Sequence, residues 1–411
     1  MVIQVSDQKQ EASNLKIAYL FTTFPVLTET TFQREIRILK TKNIELEIYS
    51  LWGGKKEFEN LPITRFRKFK LIFLFWWFPY WMAKKPGVVR KLWGEVRKIP
   101  FHSWGSLCET FIGFSFALIY ANELRQRAPG LIHAAWATMP ASAGLLVKNL
   151  TGIPYSMEGH AYDVFQNGGA WLLRRKIKEA EFVRTSSEST RSRLLEFADE
   201  REKLILVRRG LDKRPPMSEI RNSRIPLRIL SVGRLIEKMG YFDQIRLYSE
   251  ILAQGIDFNV RIIGGGPLLR PLERLIQKFG LEGKVILWGS QPFDSVIEQL
   301  IWADLFVYTG IISKDGDRAG FPNAVGEAMA AGVPVLSTAV AGIPEAIEHG
   351  RSGIVCDIHE PLSWVNPMRR LQMDDGFYSE LRKGARDWID SNFDGWRNID
   401  RLYQAFHQHC N

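Results

Sequence analysis

The chain has 411 residues, 45% of them hydrophobic and 24% charged, which suits two globular domains and excludes a disordered or fibrous chain. Its net charge of +10 favours acidic partners such as nucleic acid, anionic membrane or phosphorylated substrates, without choosing among them. Three scattered cysteines, Cys108, Cys356 and Cys410, argue against a disulfide framework and for a reducing compartment.

Residues 1–14 are polar and lack an apolar core, so no signal peptide is expected. Short apolar runs then alternate with amphipathic segments. Residues 16–21 and 44–49 read as strands, with a helix over 30–40 between them. The strand pattern returns at 131–135, at 155–157 and at 204–207. Lys213-Arg214-Pro215-Pro216 and the polar stretch to Arg224 read as a linker. A second series follows, with strands predicted at 228–232, 259–263, 285–288, 305–308 and 333–337. Residues 378–409 read as helical. Such alternation implies an α/β fold with parallel sheets, and ligands of these sheets bind at the strands' C-terminal ends. No apolar run reaches bilayer-spanning length; the longest, 71–82, is short and contains Pro79. A cytoplasmic location is therefore expected.

The segment carrying most chemistry is 316–332. Gly320-Phe321-Pro322-Asn323-Ala324 is a turn leading into an Ala-rich helix that stops at Gly332. The first amides of such a helix have no internal partners and form an anion site suited to a diphosphate. Glu327 follows early in the same helix. A carboxylate only accepts hydrogen bonds, so it fits two neighbouring hydroxyls such as those of a ribose. Taken alone, the segment reads more simply as a buried helix with one solvated glutamate.

Other motifs accompany it in order. They are Ser231-Val232-Gly233-Arg234-Leu235-Ile236-Glu237-Lys238, Ile262-Ile263-Gly264-Gly265-Gly266-Pro267-Leu268, and Val335-Leu336-Ser337-Thr338 followed by Gly342-Ile343-Pro344-Glu345. Together with 316–332 they resemble the donor site of family 4 retaining glycosyltransferases. The first half contains Phe24-Pro25-Val26-Leu27-Thr28-Glu29-Thr30-Thr31-Phe32 and Gly159-His160-Ala161-Tyr162-Asp163, which resemble the exopolysaccharide and colanic-acid-type members. The resemblance covers residue 16 to the C-terminus except roughly 52–130. It implies the GT-B fold: two Rossmann-like domains facing across a cleft, at 14–215 and 224–385. A C-terminal helix, 386–411, is expected to cross back to the first domain.

The resemblance also implies residue roles. Arg234 stabilises the leaving diphosphate, where negative charge grows. His160 faces the transferring sugar. Lys238, Gly320, Phe321, Asn323, Ala324 and Glu327 bind the donor, a UDP- or GDP-sugar. No cofactor and no metal is expected, since Arg234 and the helix amides hold the diphosphate. His102, His133, His349, His359, His407 and His409 show no metal-like spacing. Two positions depart from the family pattern. The first glutamate of its glutamate pair is replaced by Ala319, and its lysine before the loop glycine by Met239. Lys238 and Asp317 are the neighbours available to substitute. A second reading is therefore a catalytically silent homologue that acts as a sugar-nucleotide-binding or membrane-assembly factor.

Residues 65–100 form a basic aromatic insert. Arg65, Arg67, Lys68, Lys70, Lys84, Lys85, Arg90, Lys91, Arg97 and Lys98 flank Phe73, Phe75, Trp76, Trp77, Phe78, Tyr80, Trp81 and Trp93. This pattern suits an anionic membrane interface; its rival is a buried helix pair with a solvated basic rim. The expectation is peripheral attachment to the inner face of the cell membrane and a lipid-linked or oligosaccharide acceptor. Nucleic acid is not expected as a partner, because no readout motif accompanies the charge.

Overall fold

The computed structural model describes residues 15–26, 29–98 and 103–410. The leader region 1–14, the motif positions Leu27 and Thr28, and Pro100 and His102 lie outside the described residues, as do the side chains of Trp93, Arg97 and Lys98.

Two sheets account for the alternation read in the sequence. The first contains β1 (Leu15–Phe21), β2 (Ile44–Ser50), β3 (Glu57–Phe58), β4 (Leu61–Arg65), β5 (Leu131–Ala134), β6 (Tyr155–Glu158), β7 (Val183–Thr185) and β8 (Leu204–Leu206). Its order is β3-β4-β2-β1-β5-β6-β7-β8, with only the β3–β4 edge pair antiparallel. The second contains β9 (Leu227–Val232), β10 (Phe258–Ile263), β11 (Val285–Leu287), β12 (Leu305–Tyr308), β13 (Val335–Ser337) and β14 (Ile354–Val355). Its order is β11-β10-β9-β12-β13-β14, all parallel. That is the doubly wound order, whose direction of winding reverses between β9 and β12.

All ten strands expected from the sequence are present, shifted by a residue or two at some ends. Four were not anticipated: β3, β4, β7 and β14. Each is short, and β7 has the charged Arg184 at its centre, so no apolar run marks it. The helical stretch expected over 378–409 is two helices, Asp375–Asn392 and Gly395–His409. The break is made by Asp394, whose side chain accepts from the amide of Arg397 at 3.0 Å and caps the second helix. Ile399, Leu402, Ala405 and Phe406 of that helix share a core with Ile17, Phe32 and Ile36 of the first domain.

The expectation that nothing reaches membrane-spanning length needs correction. Among the described residues one helix, Trp104–Arg127, is long and apolar enough by length and composition. Polar residues such as Glu109, Ser115 and Asn122 interrupt its sequence, which hid it as a run. Phe116, Ala117, Tyr120, Ala121 and Leu124 on this helix are buried in the first domain's core, against the helix Met139–Thr151.

Under the cleft side of the first sheet lies a buried ionic cluster. Register sets Tyr19 of β1 beside His133 of β5, and Glu158 of β6 beside Arg184 of β7. Glu158 accepts from Tyr19 at 3.1 Å, from Arg184 at 2.8 Å and from Arg209 at 2.8 Å. Its Oε1 also lies 2.9 Å from His133 Nε2. Glu35, on the helix Thr30–Lys40, pairs with Arg184 and with Arg209 at 3.1 Å. Burial pushes the Glu158 carboxyl up, but Arg184 and Arg209 overcome this and hold it well below the usual range. Removing one partner of a buried ion set strands the others. Arg184→Met is therefore expected to lower stability by about 3–5 kcal/mol, read as a shift in the urea unfolding midpoint. A neutral substitution would mean that the cluster is not held by its charges.

Candidate functional site in the interdomain cleft

The C-terminal strand ends of both sheets open on one cavity of about 370 Å³. Glu29 to Phe32 follow β1, Trp136 follows β5, His160 and Ala161 follow β6, and Arg209 follows β8. From the second domain come Gly233 and Arg234 after β9, Gly264 and Gly265 after β10, and residues 319–324 with Glu327. His160, Arg234, Lys238, Gly320, Phe321, Asn323, Ala324 and Glu327 all line this one cavity.

The helix Asn323–Ala330 begins at the cavity wall, and no side chain caps its N-terminus. The buried Oδ1 of Asn323 has no hydrogen-bond partner. A bound anion would satisfy the uncapped amides of this first turn. Gly320 brings the two domains together just before it. A Cβ there would lie 2.6 Å from the carbonyl oxygen of His160, closer than any side chain could sit. Gly264, with φ of +154°, does the same within the second domain, where a Cβ would lie 1.8 Å from the carbonyl oxygen of Gly233.

Glu327 is buried and already holds one partner that its helix does not reveal. Arg34, from the first domain, donates to Glu327 Oε1 at 2.8 Å. The same guanidinium lies over the ring of Phe293 at 4.6 Å and 3.5 Å from Asp212. Oε2 of Glu327 has no hydrogen bond among the described residues.

The two candidate substitutes for the missing groups face each other. Lys238 pairs with Asp317 at 2.8 Å, so neither charge is free for a ligand. Met239 does not leave an empty place: a Cβ at Gly233 would meet its Cε at 2.2 Å. Arg234, by contrast, is exposed and has no ion pair among the described residues.

His160 sits in a turn fixed by Asp163, which accepts from the amides of His160 at 3.1 Å, Ala161 at 2.8 Å and Ala137 at 3.2 Å. Its Nε2 lies 2.5 Å from Glu158 and 2.6 Å from Arg209. Burial and the Arg209 charge lower its pKa below the ordinary value of 6.5, against the pull of Glu158. The ring is therefore neutral at pH 7. Its buried Nδ1 has no protein partner, whichever nitrogen carries the proton. His133 is a core histidine, filled by Ser156 at 2.7 Å and Glu158.

Glu29, Arg34 and Arg209 were not singled out from sequence. Glu29 lay inside the motif at 24–32 without a role. Arg209 follows a short strand in Arg208-Arg209-Gly210, which marks it only as one basic residue among many. Arg34 is one polar position on an amphipathic helix, and its partner is 293 residues away.

Comparison with solved structures places this architecture. The crystal structure of Anabaena Alr3699/HepE in complex with UDP and glucose superposes with a TM-score of 0.70 at 15% identity, over 96% of this chain and 99% of that one. The fold is GT-B. Residues 219–388 match the family model of glycosyl transferases group 1. A relative from Escherichia coli K12, WcaL, named as a colanic acid biosynthesis glycosyltransferase, is 34% identical over 234 residues, 56% of this chain and 58% of the relative. The amylovoran biosynthesis glycosyltransferase AmsK of Erwinia amylovora is 31% identical over 264 residues, 61% of this chain and 64% of that protein. The chain thus spans less than two thirds of the length of these curated relatives.

The close approach at Gly320 gives a direct test of how the cleft is closed. Gly320→Ala is expected to push the domains apart, raising the radius of gyration in solution scattering, and to lower stability by about 1–3 kcal/mol. Unchanged scattering and stability would show that the contact is not limiting.

Proposed function

We propose that this chain is a glycosyltransferase of cell-surface exopolysaccharide synthesis. It takes a UDP- or GDP-sugar in the cleft and passes the sugar to a lipid-linked or oligosaccharide glycan. The observation that carries this reading is one cavity bounded by an uncapped helix N-terminus, an unpaired arginine and a buried carboxylate. These are three groups suited to a diphosphate and a ribose. In this reading the amides of Asn323 and Ala324 hold the diphosphate. Arg234 stabilises the charge that grows on it as the glycosidic bond breaks, and Oε2 of Glu327 accepts from ribose hydroxyls. His160, neutral and with Nδ1 open, faces the sugar. Assignment to family 4 and retention of anomeric configuration follow from the sequence resemblance. The UDP and glucose bound to Anabaena Alr3699/HepE favour a UDP-sugar, and the colanic acid and amylovoran relatives favour an exopolysaccharide product.

Binding of UDP and GDP by the purified chain tests the site. Glu327→Gln and Arg234→Met are each expected to weaken the preferred nucleotide by roughly ten- to a hundred-fold, the range of a hydrogen bond to a charged group. Unchanged affinity in both variants would move the nucleotide elsewhere. A silent homologue is favoured by Ala319, which removes a carboxylate from the sugar side, by Met239, which removes a positive charge from the diphosphate side, and by the Lys238–Asp317 pair, in which the neighbouring charges hold each other. Donor turnover by the natural protein beside Met239→Lys with Ala319→Glu separates the two readings. Turnover only in the variant favours the silent homologue; robust turnover in the natural protein rules it out.

The insert supports a membrane partner for the same reaction. Helix Leu74–Lys84 buries only Trp81, whose Nε1 donates to the carbonyl of Leu118 at 2.8 Å. Phe75 and Trp76 are 81% and 72% exposed, beside the exposed Phe69 and Ile72. Arg67, Lys68, Lys84 and Lys85 around them are exposed too. Aromatic rings at the headgroups and cations at lipid phosphate give peripheral attachment to the inner membrane face. Phe75→Ser with Trp76→Ser is expected to cut co-sedimentation with anionic liposomes about tenfold or more. Absence of binding by the natural protein at low salt would remove the membrane from the proposal.

A further inference from the structure

The cavity lining includes six ionisable side chains: Glu29, His160, Arg209, Arg234, Lys238 and Glu327. Four are committed to protein partners. Glu327 is held by Arg34, Lys238 by Asp317, and His160 and Arg209 by Glu158 and each other. Two have no hydrogen bond or ion pair for their side chains among the described residues: Arg234 and Glu29. Glu29 immediately precedes the helix Thr30–Lys40, yet its side chain does not cap that helix. Burial raises its pKa above the ordinary carboxylate value, although Arg209 and Arg234 draw it down. An unpaired, half-buried carboxylate is unfavourable unless a ligand supplies donors.

We propose that Glu29 holds the hydroxyls of the donor's sugar, supplying from the first domain the carboxylate that the second domain lacks at Ala319. The inference rests on the nucleotide-sugar reading of the cleft. Its chemistry follows from what the other walls do. Arg234 and the helix amides claim the diphosphate, and a carboxylate would repel that group. Beyond the nucleotide, the donors a nucleotide sugar offers are its sugar hydroxyls and, in an N-acetylamino sugar, one amide N–H. A carboxylate is acceptor-only, with two oxygens, and fits two adjacent hydroxyls. Ala319, on the facing wall, offers no side-chain acceptor. Arg209 and Arg234 supply positive charge that favours the ionised form of Glu29, and among the described residues no acid other than Glu327 lines the same cavity.

The test is calorimetric, on the full chain. UDP is compared with UDP-glucose, UDP-galactose and UDP-N-acetylglucosamine, and GDP with GDP-mannose. At least one sugar is expected to add affinity over its nucleotide. Glu29→Gln and Glu29→Ala are each expected to remove about tenfold of affinity for that sugar nucleotide. The parent nucleotide should still bind within about twofold of the natural protein, which also shows that the variants fold. The sugar increment should fall on acidification, as the raised carboxyl takes up its proton, and the Glu29-dependent part of that fall should be lost in Glu29→Gln. The proposal is overturned if no sugar adds affinity, if the increment survives both substitutions, or if nucleotide and sugar nucleotide weaken equally. Failure of the natural protein to bind UDP or GDP would overturn the nucleotide reading and this inference with it. Nucleotide binding without a Glu29-dependent increment overturns this inference alone.

Discussion

Glu158 is fully buried at the end of β6, and the first domain's face of the cleft is organised around it. Its two oxygens gather Tyr19, His133, His160, Arg184 and Arg209, which come from three strands and two loops. A charge removed from water in this way persists only when its partners are in place. The cluster therefore fixes the relative positions of the strand ends. It also sets the state of His160: the imidazole lies between a carboxylate and a guanidinium, and burial with the latter keeps it neutral. The site-facing histidine is thus tuned by Glu158, which lies beneath the cavity lining, and by Arg209, which forms part of it.

The second domain meets this wall through backbone. Gly320 lets a turn approach the carbonyl of His160, and Gly264 lets two loops of the second domain abut. Backbone of the two domains and of neighbouring loops then meets directly at the cleft, with no side chain between. Arg34 completes the contact by crossing from the first domain to Glu327. Closure of the domains and occupation of Glu327 are therefore linked, because one oxygen of the carboxylate is spoken for whenever the domains are together.

The two departures from the family pattern have different structural consequences. Met239 fills the space beside Gly233 with an apolar side chain, so the positive charge expected from the resemblance is absent there. Ala319 leaves its part of the cleft wall without a side-chain acceptor. Lys238 and Asp317, the nearest groups of the right kind, satisfy each other. What charge remains free in the cleft lies on Arg234 and Glu29, one on each domain.

Much of the fold was legible because alternating apolar runs reflect strands buried on both faces, a local property of the chain. All ten expected strands are there, and the glycine-rich turns and the helix start at Pro322 and Asn323 follow from local backbone chemistry. The residues Arg234, Glu327 and His160 could be placed at strand and helix ends for the same reason. β7 escaped because Arg184 interrupts it, and the helix Trp104–Arg127 escaped because polar residues break its run. Arg184 is tolerated only through partners distant in the sequence, Glu35 and Glu158. Whether a charged side chain in the cleft is free or committed was decided by the tertiary structure alone. Arg34 and Glu327, Lys238 and Asp317, and Glu158 with its ring of donors are separated by up to 293 residues. Coulombic and hydrogen-bond pairing depends on distance in space, which no local pattern encodes.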